Sequence, residues 1–85
     1  LESLCAAITA EGGKALAIAA DVTDRASLDA AVAQALETFG ALDVAVANAG
    51  FGVMGAAGRM TTEDVRRQFD TNFFGLVDTL YATLP

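Results

Sequence analysis

At 85 residues the chain is long enough for one small domain but too short for a large doubly wound one. Its 11 acidic and 5 basic residues leave a net charge of −6, with no basic run to displace phosphate counterions, so the composition argues against nucleic-acid binding. The absence of His and the single cysteine, Cys5, exclude an internal disulfide, a His/Cys zinc site and a Ser-His-Asp triad.

The order of the chain begins with Leu1, Leu4, Cys5 and Ile8, the stripe of a helix running to about Glu11. Since this pattern is in place at the first residue, which is not Met, the chain is expected to be a piece of a longer protein. Gly12-Gly13 should end the helix, because glycine takes the left-handed cap conformation at little cost. Ala15 to Ala20 is uncharged throughout and reads as a strand covered on both faces, ending at Asp21-Val22-Thr23-Asp24.

Thr23 or Asp24 is positioned to cap a second helix that extends to about Phe39, with Leu28, Val32, Ala35, Leu36 and Phe39 on one stripe and Gly40 as its stop. The stretch from Leu42 to Gly50 follows. Its apolar run from Val44 to Ala47 stops at Asn48-Ala49-Gly50, which reads as a second buried strand leading into a ligand-facing turn. Strand, helix and strand make a βαβ unit, so the expected class is α/β, as a fragment of a doubly wound parallel sheet.

Phe51 to Met60 has three more glycines and no period, as a loop would. Thr61 and Asp64 have the spacing of a capping box, and one long helix is expected from there to Leu84. Val65, Phe69, Phe73, Leu76, Leu80 and Leu84 form one stripe, with Phe74, Val77 and Tyr81 beside it. A helix so widely apolar expects cover on more than one side. Asn72 interrupts the stripe, and an amide there must find hydrogen-bond partners or cost roughly 1–3 kcal/mol. Gly75, in mid-helix, suggests a close approach by another group.

Asp21-Val22 after one strand, Asn48-Ala49-Gly50 after the next, and Asn72 within Thr71-Asn72-Phe73-Phe74-Gly75 together resemble the middle of a classical short-chain dehydrogenase/reductase. The resemblance covers essentially the whole chain. It implies that residues 1–85 are a partial NAD(P)-binding Rossmann domain of an oxidoreductase that passes hydride between NAD or NADP and an alcohol or carbonyl compound. Asp21 would bind the adenine amino group and Val22 would lie beside the adenine ring. Asn48, Ala49 and Gly50 would support the sheet along the cofactor ribose. Asn72 would be the helical Asn of the catalytic tetrad, holding a water linked to the active-site Lys.

Ala47 stands where many relatives have another Asn. The Gly-rich phosphate turn, the catalytic Ser and the Tyr-x-x-x-Lys pair have no counterpart here, so the 85 residues alone are expected to be inactive. In the family's strand order the two strands present are not neighbours, which predicts unpaired strand edges and at best partial order in isolation. The resemblance also implies a homodimer or homotetramer through helix 62–84. A cytoplasmic setting, no membrane and no metal complete the expectation. The rival reading is a non-catalytic nucleotide-binding or structural member of the same fold.

Overall fold

Helix formation is settled locally, and its signals are realised almost residue for residue in the computed structural model, which describes all of Leu1–Pro85. Helix α1 spans Glu2–Ala10. Gly12, at φ 87°, ends it in a Schellman arrangement: the Gly13 N–H donates to Ile8 O and the Gly12 N–H to Thr9 O, both at 3.0 Å. Helix α2 spans Arg25–Phe39, and of the two candidate caps it is Asp24 that accepts from the Ala26 and Ser27 N–H groups. Gly40 closes α2 in the left-handed conformation at φ 85°. Helix α3, Thr62–Phe69, opens with the expected capping box between Thr61 and Asp64.

The long terminal helix is not uniform. A π-helical turn over Asp70–Phe74 separates α3 from α4, Gly75–Thr83, and the Gly75 N–H donates to Asp70 O five residues back. Each residue added to a helix rotates the next by about 100°, so the turn shifts Leu76 and Leu80 out of the register expected from Val65 and Phe69. This corrects the expectation of one unbroken α-helix. Phe73 and Phe74 fall inside the turn, their rings edge to face with centroids 5.1 Å apart.

The two expected strands are not realised as a sheet. Neither the segment after Gly13 nor that after Gly40 forms a ladder, and no backbone–backbone hydrogen bond joins them. Val44 and Val46, expected to be buried, are 77% and 80% exposed. The cause is physical: a strand needs a partner backbone within hydrogen-bonding reach, and these two segments supply none to each other.

What packing exists is helix on helix. Helix α2 lies against α4, α1 packs against no other helix, and the Arg25 guanidinium reaches Asp78 at 3.7 Å across the α2–α4 contact. Only Leu28 and Gly75 are buried. The accessible surface is 6464 Å², where a compact chain of this mass would expose about 4,700 Å². The radius of gyration is 15.9 Å, against about 12 Å for a compact domain of this length. The chain is a slab of 51 × 29 × 17 Å, and no helix in it is long and apolar enough to cross a membrane.

A chain with so little buried surface should not unfold cooperatively. The isolated 85-residue polypeptide is expected to give weak near-UV ellipticity and a broad, non-sigmoidal thermal profile. A sharp transition from a monomer with native-like near-UV signal would contradict the reading.

Candidate functional site

The segment ending in Asn48-Ala49-Gly50 meets the terminal helix through one side chain. The Phe51 N–H donates to Asn72 Oδ1 at 2.9 Å, and Asn72 Nδ2 donates to Phe51 O at 2.7 Å. This two-point grip answers the question raised by an amide on an apolar stripe. The polar partner is the backbone just after Gly50. A Cβ at Gly50 would stand 3.0 Å from Asn72 Oδ1, so the absence of a side chain there keeps the approach open. Asn48 makes no side-chain hydrogen bond within the chain and lies exposed.

Asp21 and Val22 are set by the entry to α2. The Thr23 N–H and hydroxyl both donate to Asp21 Oδ1, at 2.9 and 2.7 Å, while the Asp21 N–H donates to Ser27 Oγ at 2.8 Å. The Thr23 hydroxyl, followed by its N–H, holds the Asp21 carboxyl below its ordinary pKa of 3.8. Its other oxygen, Oδ2, accepts no hydrogen bond within the chain. Val22 reaches into the notch at Gly75, where an added Cβ would lie 2.7 Å from Val22 Cγ2 and 3.2 Å from Asp70 O.

Two adjoining cavities collect these residues. One, of about 330 Å³, is lined by Val22, Asn48, Ala49, Asn72 and Gly75 among others. The second, of about 320 Å³, is lined by Asp21, Thr23, Phe51, Arg67, Asp70 and Thr71. Thr71 faces both. The structure thus brings Val22, Asn48, Ala49 and Asn72 around one space, with Asp21 in the next and Gly50 at the junction with Asn72. No group of three or more His, Cys, Asp or Glu side chains comes together to hold a metal.

Sequence reasoning missed four contributors: Ser27, Arg67, Gln68 and Thr71. Arg67 lies 5.8 Å from the Phe51 ring centroid while paired with Asp64 at 3.3 Å. Gln68 Oε1 accepts from the Val53 N–H at 3.2 Å. Helical spacing was the available signal for Gln68, four residues before Asn72 and hence on a nearby face. Ser27 had a signal in the capping pattern after Asp24; Arg67 and Thr71 had none.

The family model for short chain dehydrogenases matches residues 1–85. The chain belongs to that family. A 3-ketodihydrosphingosine reductase of Bacteroides thetaiotaomicron is 42% identical over 73 residues, which are 86% of this chain and 27% of the reductase. A crystal structure of a short-chain type dehydrogenase/reductase from Mycobacterium marinum superimposes with a TM-score of 0.92 at 35% identity, covering 98% of this chain and 33% of that one. A short chain dehydrogenase from Burkholderia cenocepacia, in complex with NADP, gives 0.89 at 32% identity over 96% of this chain and 34% of its own. The chain spans about a third or less of the length of these relatives. It is therefore a portion of the doubly wound Rossmann fold whose full sheet the relatives carry, and its α/β class holds even though its own segments find no ladder partners.

In this short-chain dehydrogenase chain the Gly75 notch gives a prediction with a definite sign. Gly75→Ala in the full-length protein gains roughly 0.5–1 kcal/mol of helix propensity. It also forces a stiff β-branched side chain and a backbone oxygen to move, at a cost of roughly 1–3 kcal/mol. The variant is expected to be less stable than wild type by denaturant titration, the reverse of the usual glycine-to-alanine effect in a helix.

Proposed function

We propose that this chain is the cofactor-facing middle of an NAD(P)-dependent oxidoreductase acting on a small alcohol or carbonyl compound. The observation that carries the reading is the convergence of Val22, Asn48, Ala49 and Asn72 on one cavity, with Asp21 on its neighbour. These groups fit a nicotinamide dinucleotide. The free Oδ2 of an ionised Asp21 is an acceptor for the adenine amino group, and Val22, braced against Gly75, offers methyl groups to the ring. Ala49 and Gly50 present backbone to the ribose with little side-chain obstruction. The cofactor, NAD or NADP, supplies hydride chemistry once bound.

Asn72 uses one acceptor and one donor position of its side-chain amide on Phe51, and each atom keeps a second. Its contribution to a catalytic water would come from those positions or from its main chain, within a π-helical turn of the kind that recurs at functional sites. The proton-transferring Ser, Tyr and Lys would lie outside these 85 residues, so this piece alone is inactive. The loop from Phe51 to Met60 would form part of the rim of the substrate pocket, with Phe51, Val53 and Met54 favouring an apolar substrate.

The aromatic surface of the terminal helix, with Phe69, Phe73, Phe74 and Tyr81 all more than half exposed, supports assembly into a homodimer or homotetramer. Sedimentation finding only monomers of the full-length protein at micromolar concentration would remove that part. A cytoplasmic setting agrees with the single free cysteine. Fractionation that recovers the protein outside the cytoplasm would remove it.

The test is reduction of NAD or NADP by the full-length protein with a panel of alcohols, followed by absorbance. Asp21→Ala should weaken cofactor binding roughly ten- to a hundredfold, the scale of a hydrogen bond to a charged group. Because the Asp21 pKa is lowered, its ionised form persists on acidification: affinity should stay flat through neutral pH and be lost only as pH falls below the usual carboxylate value of 3.8. Binding without turnover would mark a non-catalytic member of the fold, and failure to bind either dinucleotide would sink the reading.

A further inference from the structure

The loop after Phe51 is closed at its start by the last turn of α3 and at its end by the first. At its start the Val53 N–H donates to Gln68 Oε1 at 3.2 Å. At its end the Thr61 N–H donates to Asp64 Oδ2 at 3.1 Å. The two helical residues are themselves joined, because Gln68 Nε2 donates to Asp64 O at 3.1 Å. Val53 and Gln68 are half-buried, whereas Met54, the next residue, is 98% exposed.

The geometry explains why the grip falls at these positions. Phe51 is held by Asn72 and Val53 by Gln68, so the segment runs antiparallel to the helix. Two residues of extended chain advance about 6.6 Å and four helical residues about 6 Å, so both bonds form without strain. Beyond Val53 the helix makes no further side-chain bond to the loop until Thr61. Gln68 is the last hold before residues 54–60 leave the helix surface.

We propose that Gln68 is a positioning residue that determines substrate specificity, by fixing where the rim loop 54–60 departs from the helix. The assignment rests on the oxidoreductase reading above, in which that loop borders the substrate. Gln68 contributes no atom to the reacting groups. It sets the position of Val53, and the apolar residues that follow take their place from it.

The experiment uses the full-length protein with Gln68→Met, which keeps length but removes the acceptor, and Gln68→Glu, which keeps an acceptor for the Val53 N–H. For Gln68→Met the ratio of kcat/KM between a small and a bulky alcohol should fall about fivefold, the scale of one net hydrogen bond. The change should lie in substrate KM more than in kcat, with faster amide exchange at residues 53–60. Gln68→Glu should restore both the preference and the exchange protection. An active wild type whose Gln68→Met variant keeps its substrate preference overturns the assignment of Gln68 alone. A wild type that turns over no alcohol or carbonyl overturns the oxidoreductase reading, and this proposal with it.

Discussion

The bidentate contact between the Asn72 amide and the backbone of Phe51 is the constraint on which the rest of the site depends. It is the point at which the segment from Leu42 to Gly50, without a ladder of its own, is fastened to a helix. A backbone N–H and C=O satisfied by one side chain fix both the position and the orientation of the peptide unit, as a single bond cannot. From that point Gly50 lies against the amide, the Val53 N–H comes within reach of Gln68, and Arg67 covers the Phe51 ring. Gly50, Phe51 and Val53 thus take their places from one amide.

A second constraint works through absence of side-chain atoms. Val22 occupies space that any residue larger than glycine at position 75 would fill, so the turn after the first uncharged segment can meet the terminal helix closely. The π-helical turn just before Gly75 belongs to the same junction, since the Gly75 N–H is bonded to Asp70 O and Asp70 O lies beside the Gly75 notch. Helix irregularity, glycine and the Val22 contact occur together because each makes room for the next.

The electrostatics are modest and local. Asp21 and Asp64 are both held below the ordinary carboxylate pKa, chiefly by hydrogen bonds from Thr23 and Thr61 respectively, and Arg25 is held above its own by Asp29. Asp21 and Arg25 are exposed and Asp64 is half-buried, and pairs this close to the surface contribute little to stability. Their effect is on geometry: Asp24 starts α2, Asp64 starts α3, and Asp21 keeps one oxygen turned away from Thr23. Stability has to come from apolar cover, which the relatives' longer chains have length to provide.

The sequence by itself determined the helical segments and most of their ends, though not the π-helical turn at Asp70–Phe74. Gly12 and Gly40, the Thr61–Asp64 box and the α2 stripe are all read from residues within four or five positions of one another, because helical hydrogen bonds and caps are local. Family membership was legible for the same reason, in the order of Asp21-Val22, Asn48-Ala49-Gly50 and Asn72, which the match over residues 1–85 bears out. Only the tertiary structure decided that the partner of Asn72 is a peptide 21 residues away, that Gly75 receives Val22, and that Gln68 holds Val53. It also decided that Ala15–Ala20 and Val44–Ala47, strand-like in composition, form no ladder. A strand's hydrogen bonds are made to other chain segments, and no local pattern can state whether those segments are within reach.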